Sequence, residues 1–298
     1  MENKEPEAEQ FKKAFYSYFN EDQHAQDKLQ ELAESIHPRY TFNLDDIRKT
    51  RPELVQQILN QPVQNLNIIR DTLRSSIKEG IDSDISKAKA KIFEKERPLA
   101  ISIEGNFGKY HTTPRGLTAP LLHKLVNIQV IVTRCSLVNP KLMKSVHYCE
   151  NTESFSTRDY HDQYSIYTNP MALKGSGYPT KDPMGNPLTT EFGYCQYKDH
   201  QTILIQEMPE RTPVGQLPRS IEVILEGDLV DSIKPGDRIE VVGVYKTVTG
   251  TTSVFTGVFR TILVVTNLKK LTEIDIPQFT TEELTILKFY QTTQRFST

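Results

Sequence analysis

Short β-strand segments separated by turn residues begin at Leu99, and they limit most strongly what this chain can fold into. Ile, Val, Phe and Thr are concentrated in these segments, and turn signals such as Asn139-Pro140 and Thr249-Gly250 lie between them. The predicted strands are 99–104, 125–134, 141–148, 201–208, 219–226, 238–248 and 254–265. Their number and spacing predict a small Greek-key β-barrel.

A barrel of this size is typical of the oligonucleotide-binding (OB) fold. Segments of matched length, 241–248 and 254–261, flank Gly250 and predict a β-hairpin. Residues 150–198 interrupt the strands with a polar sequence rich in Tyr, Gly and Pro, which we interpret as an inserted subdomain. So small a unit often needs a metal, and without one its own tyrosines would have to form its core.

The first 98 residues predict helices instead of strands. Asp45 or Asp46 is a candidate N-cap of a short helix, Pro52 suits the first turn of the next, and Pro62 suits the start of a third. Apolar residues recur at helical spacing and predict a buried face on each helix. The predicted core residues are Phe11, Phe15, Phe19, Leu54, Val55, Ile58, Leu59, Leu66, Ile69 and Leu73.

These patterns predict a multidomain α+β protein. We expect a helical domain at 1–98, an OB barrel formed by 99–149 and 199–271, an inserted subdomain at 150–198 and a linker at 272–298. The last residues carry no strong helix ending, which suggests a truncated chain.

Composition excludes several functional classes. The 36 Lys and Arg residues nearly balance the 38 Asp and Glu residues, so the chain is neither a uniformly basic nucleic-acid coat protein nor a strongly acidic disordered one. Three cysteines argue against a secreted disulfide framework. No signal peptide is evident, and no apolar run approaches the ~20 residues of a membrane span. We therefore expect an intracellular, soluble protein or fragment.

Charge is nevertheless distributed unevenly along the chain. No acidic residue lies between Glu104 and Glu150. This interval carries the basic residues Lys109, Arg115, Lys124, Arg134, Lys141 and Lys144. A buried β-rich segment would also lack carboxylates, but it would not carry six cations. Since Lys246 and Arg260 lie on the predicted hairpin, a basic groove for nucleic-acid phosphates is favoured over solvated surface.

Motifs for catalysis are absent from the sequence. Residues 105–110 come nearest to a phosphate-binding P-loop, but they lack its first glycine and the Ser or Thr after the lysine. No nucleophile elbow, HExxH or dinucleotide fingerprint occurs. The cluster Asp159-Tyr160-His161-Asp162 is more typical of a solvated loop than of a catalytic site. The chain alone is therefore not predicted to be an enzyme.

A zinc site would require about four converging ligands. The insert and its flanks offer the candidates His147, Cys149, His161, Cys195 and His200. No CxxC pair exists, so each cysteine lacks its usual close partner, and bound zinc is not favoured.

Several long segments resemble the minichromosome maintenance (MCM) replicative helicases. The segments that resemble the family are 125–141, 205–210, 215–221, 228–231 and 234–238. Others resemble the branch that forms subunit three of the eukaryotic complex, namely 107–115, 145–149, 178–182 and 197–201. The resemblance extends over nearly the whole chain and identifies it with the N-terminal half of that subunit.

The resemblance implies a helical domain, an OB barrel and a zinc-ribbon-like insert, degenerate here because the family's two cysteine pairs are absent. It implies a hetero-hexameric ring of MCM subunits, a second ring joined head to head through the inserts, and binding to single- and double-stranded DNA. It further implies a nuclear protein that acts in origin licensing and DNA unwinding. ATP and Mg²⁺ would bind only in a following ATPase domain.

Residue by residue, the resemblance places single-strand contacts on Arg134, Lys141, Lys144 and Arg219. The channel hairpin would be 245–260, where Lys246 is the nearest basic residue and the tip is uncharged. The segment from Glu207 to Arg219, here the 207–219 loop, resembles the family's allosteric loop. Its predicted functional residues are Glu207, Pro209, Gly215, Gln216 and Pro218. A free-standing OB single-strand binder and a pure subunit-interaction scaffold remain the alternatives.

Overall fold

The computed structural model describes residues 7–21, 39–79, 99–160, 179–182, 184–248 and 259–271. Within these ranges the α-helices are α1 (Glu7–Glu21), α2 (Leu44–Thr50), α3 (Pro52–Asn60) and α4 (Pro62–Glu79). The strands are β1 (Arg39–Asn43), β2 (Ala100–Glu104), β3 (His111–Thr112), β4 (Leu125–Cys135), β5 (Asn139–Cys149), β6 (Ser154–Asp159), β7 (Thr189–Thr190), β8 (Gln196–Glu207), β9 (Ser220–Glu226), β10 (Arg238–Val248) and β11 (Arg260–Lys270). No helix in these ranges is long and apolar enough to cross a membrane.

The helical layer is built as its periodicity predicts. The rings of Phe11, Phe15 and Phe19 are buried along one side of α1, with successive centroids 6.2 and 6.4 Å apart. The inward residues predicted for α3 and α4 are all buried as well. The predicted cap of α2 is wrong, because Asn43 accepts a hydrogen bond from the Asp45 amide at 2.9 Å. Asp45 and Asp46 lie inside the first turn, where their charges favour the positive end of the helix.

The predicted helical region also contains a strand. β1 pairs in parallel with β2, so the predicted segment 99–104 belongs to a separate two-stranded sheet and not to the barrel. Tyr40 and Phe42 of β1 and Ile101 and Ile103 of β2 are buried in the same core as the helices. This shared apolar face explains why β2 joins the helical layer.

Five strands close into the predicted barrel. β4 pairs with β10 on one side and with β8 on the other, and the ring continues through β11 and β9. β9 and β11 run parallel, whereas the other neighbours in the ring are antiparallel. The interior is apolar and includes Val126, Ile128, Val130, Ile205, Val223, Leu225, Ile239, Val241 and Leu263. The predicted OB barrel is therefore confirmed.

The wall of the barrel separates two cores. Val241 and Leu263 point into the barrel, whereas Val242, Val244 and Val264 belong to the core shared with the helices. Arg39 of β1 also binds the Asp228 carboxylate with two nitrogens and reaches the Thr266 carbonyl. The helical layer is thus packed on the outer face of β10 and β11.

Described parts of the insert form a small sheet that extends from the barrel. β5 pairs with β6, with β7 and with the first half of β8. Its buried side chains are Ser145, His147 and Cys149, whereas Tyr194 and Tyr197 are exposed, so these tyrosines do not form its core. Residues 161–178 lie outside the described residues, as do the hairpin tip 249–258 and the predicted linker 272–298.

Candidate nucleic-acid interface

Four predicted DNA-contact residues lie beside a single strand, β8. Lys144 is the register partner of Gln196, Lys141 of Lys198 and Arg134 of Leu204. The Arg219 carbonyl accepts a hydrogen bond from the Glu207 amide at 2.9 Å at the end of the same strand. The structure therefore arranges these residues in a line along β8, at successive positions and not as one cluster.

Arg134 and Arg260 share the outer face of the barrel. Glu222 of β9 is the register partner of Leu204, which is the register partner of Arg134 on its other side. Arg260 forms an ion pair with Glu222. Arg134 is exposed and makes no ion pair in the part of the chain that the structure describes. Two predicted cations are thus brought to one solvent-facing row with a carboxylate between them.

Lys141 is engaged in an ion pair inside the protein. Its Nζ lies 2.8 Å from Glu226 Oε1, and Lys198 Nζ lies 2.9 Å from Glu226 Oε2. Burial alone would raise the pKa of the Glu226 carboxyl, but the charges of Lys198 and Lys141 overcome it and hold that pKa below its ordinary value. Lys141 therefore has a structural partner that would compete with a phosphate.

Lys246 lies in a different environment from the other predicted contacts. Its side chain is 7% exposed, next to the helical layer and opposite Ile262 of β11. A phosphate contact requires an accessible ammonium group. The described part of the hairpin thus provides Arg260 as its accessible cation and encloses Lys246.

The residues of the 207–219 loop fall into two groups. Glu207 is buried at its start, whereas Pro209, Gly215 and Gln216 are exposed and Pro218 is half-buried. Gly215 has a φ of 79°, a left-handed conformation that favours glycine. The loop leaves the barrel at Glu207 and returns at Arg219, which the backbone hydrogen bond joins.

The zinc candidates make other contacts. One ring nitrogen of His147 lies 2.7 Å from Ser145 Oγ and the other 3.1 Å from Thr190 Oγ1. Burial, and then the charge of Arg158, lower the pKa of His147. The Cys195 thiol donates to the Glu191 carbonyl at 3.3 Å. His200 is half-buried beside β9, and no group of three metal-binding side chains occurs among the described residues. Whether the insert binds zinc stays a prediction.

Sequence reasoning missed two residues at these sites. Lys198 shares Glu226 with Lys141, and Arg115 contacts the 207–219 loop through Glu207 and Gln216. Lys198 was visible only as one charge of a polar insert. Arg115 was visible as a cation of the acid-free interval, but its partners lie about ninety positions further along the chain.

Comparison with known proteins places the barrel in a described family. The MCM OB domain matches residues 112–249, a range that includes β4, β8, β9 and β10. The maternal DNA replication licensing factor mcm3 of Xenopus laevis is 41% identical over 262 residues, which are 88% of this chain and 31% of that protein. The DNA replication licensing factor MCM3 homolog 1 of Zea mays is 37% identical over 293 residues, 97% of this chain and 37% of that protein.

A fission-yeast protein adds a third relative. The DNA replication licensing factor mcm3 of Schizosaccharomyces pombe is 41% identical over 231 residues, 77% of this chain and 26% of that protein. The chain spans about a third of the length of these curated relatives.

Proposed function

Because this chain belongs to the minichromosome maintenance (MCM) family, we propose that it is the DNA-binding and ring-assembly region of a replicative helicase subunit. Its barrel carries the proposal, since cations of the acid-free interval lie along β8 on a closed OB barrel. We place it in the nucleus, in origin licensing and DNA unwinding. ATP hydrolysis and Mg²⁺ binding belong to the further length of its relatives, so the chain alone is not an enzyme.

The proposed DNA path follows β8. Twelve residues from Gln196 to Glu207 extend about 40 Å at ~3.3 Å per residue, which suits several nucleotides of single strand. Arg134, Lys144 and Arg219 make no ion pair within the described residues, so their charges are available to phosphates. Lys141 is left out of this path because Glu226 holds it.

Charge reversal tests the path. Arg134→Glu, Lys144→Glu and Arg219→Glu together should weaken binding of a labelled single-stranded oligonucleotide at least about tenfold in fluorescence anisotropy and reduce its salt dependence. Lys12→Glu is the matched control, because Lys12 is exposed on α1 away from β8. Lys141→Glu is unsuitable, because it would place a second carboxylate beside Glu226.

Assembly distinguishes the rival functions. We propose that the ribbon-like insert joins two rings, since Phe155 and Tyr194 are 61% and 70% exposed and their rings lie 6.2 Å apart. If the triple variant binds DNA like the parent but fails to assemble with MCM partner subunits in sedimentation, the region is a scaffold and the DNA path is refuted. Strong DNA binding with no assembly under any condition would favour a free-standing single-strand binder.

A further inference from the structure

Arg115 reaches from outside the 207–219 loop to both of its ends. It lies in the short turn Pro114–Gly116, ahead of β4. Its Nη2 lies 3.3 Å from Glu207 Oε2 and donates to the Leu217 carbonyl at 3.2 Å. Its Nη1 donates to Gln216 Oε1. One planar guanidinium therefore joins the first residue of the loop to residues 216 and 217.

Glu207 makes this contact costly to lose. The residue is 2% exposed, and Arg115 is the cation paired with it in the described part of the chain. A buried carboxylate needs a partner, so the guanidinium is held at the neck of the loop. Arg115 can then use its remaining donors on the loop itself.

The two halves of the loop are attached differently. Residues 208–212 have their own ties, because Arg211 donates to Gln129 Oε1 at 2.5 Å and Arg238 pairs with Glu210. For residues 213–218, the described contacts with the rest of the chain are those made by Arg115, apart from one internal hydrogen bond from the Gln216 amide to the Pro213 carbonyl. The second half therefore depends on Arg115.

The second half also carries the exposed apolar surface of the loop. Val214 is fully exposed and Leu217 nearly so. Residues 212–218 contain no charged side chain, so they offer nothing to a phosphate and suit an apolar pocket on a protein. Holding such a segment in one conformation before contact lowers the entropy cost of ordering it.

We propose that Arg115 is the positioning residue of the 207–219 loop, which fixes residues 213–218 so that Val214 and Leu217 are presented to a protein partner. The inference rests on the proposed function only in assigning the loop a protein contact. Lysine cannot replace Arg115, since one ammonium cannot reach Glu207, Gln216 and the Leu217 carbonyl in the planar geometry of the guanidinium.

A single tryptophan reports on the loop, because the chain has none of its own. In a Val214→Trp background, nanosecond anisotropy decay separates local motion of the tip from tumbling of the whole molecule. Arg115→Ala and Arg115→Lys should both shift amplitude from the slow component to the fast one. Arg238→Ala, which removes a tie of the first half, is the matched control and should leave the tip unchanged.

Loss of folding is controlled by a second variant. Arg115→Ala leaves Glu207 buried without a partner, so Arg115→Ala/Glu207→Gln should recover thermal stability while the tip stays mobile. If the double variant instead shows the slow, rigid decay of the parent, Arg115 does not position the loop. These measurements use neither DNA nor partner subunits, so they stand or fall independently of the proposed function.

Discussion

At the scale of single residues, Glu226 shows how this barrel accommodates charge. A carboxylate that leaves water loses hydration, and two lysine ammoniums within 2.9 Å replace it. The two lysines are register partners on β5 and β8 and would repel each other without the carboxylate. Glu226 therefore joins the base of the insert to the barrel strand β9.

Removing this carboxylate should be expensive at neutral pH. Glu226→Gln should lower the free energy of unfolding by roughly 3–5 kcal/mol, because two poorly hydrated ammoniums lose their partner. The folded-state pKa of Glu226 lies below its ordinary value, so its contribution is complete above the unfolded pKa of about 4.3 and is lost as pH falls through the folded one. Urea denaturation at pH 7 and below pH 4 measures the difference.

Glu222→Gln is the control for that experiment. Glu222 pairs with the exposed Arg260, and its loss should cost only about 0–1 kcal/mol. A gap between Glu226→Gln and the parent that is unchanged in acid would contradict the assigned role of the buried carboxylate.

Which charges are exposed could be partly predicted, but which are paired could not. Arg134 and Arg219 lie open as a DNA contact requires, whereas Lys141 and Lys246 do not. The partner of Lys141 is 85 positions away, and sheet register alone brings the two together. A single sequence contains the charges but not this register, so the ion pairs of Lys141 and Arg115 were missed.

At the scale of elements, Gly243 sets the geometry of β10. The register with β11 shifts between Val242 and Gly243, and a Cβ at Gly243 would lie 2.6 Å from the Val264 carbonyl oxygen. Gly243→Ala should therefore destabilise the protein by about 1–3 kcal/mol, because backbone would have to move. Gly193→Ala is the control, since nothing lies within 4 Å of its Cβ position. Equal melting temperatures for the two variants would refute this tight contact.

Local signals decided which elements were predictable. Pro52 and Pro62 begin α3 and α4 as expected, because proline and helical periodicity act within one or two turns. β6 was missed because its polar residues are almost all exposed and show no apolar alternation. β1 was missed because five residues carry a weak signal, and its strand character depends on pairing with the distant β2.

At the scale of the whole molecule, the helical layer and the barrel share a wall. Val242, Val244, Ile262 and Val264 face the helices, so the barrel cannot be separated without exposing them. A fragment of residues 111–271 should therefore self-associate in light scattering, unlike the full chain. Val244→Thr and Ile262→Thr in the fragment should reduce that association. A monomeric fragment as stable as the chain would show that the barrel needs no cover.

Closure of the barrel by its last strands also affects how the chain is made. β4 has Ile131 opposite Arg238 of β10, and β9 waits for β11 before its parallel pairing forms. During synthesis, the early strands emerge with open edges long before their partners leave the ribosome. Pairings this distant in sequence also form slowly. The nascent chain should therefore depend on chaperones until Lys270 has emerged.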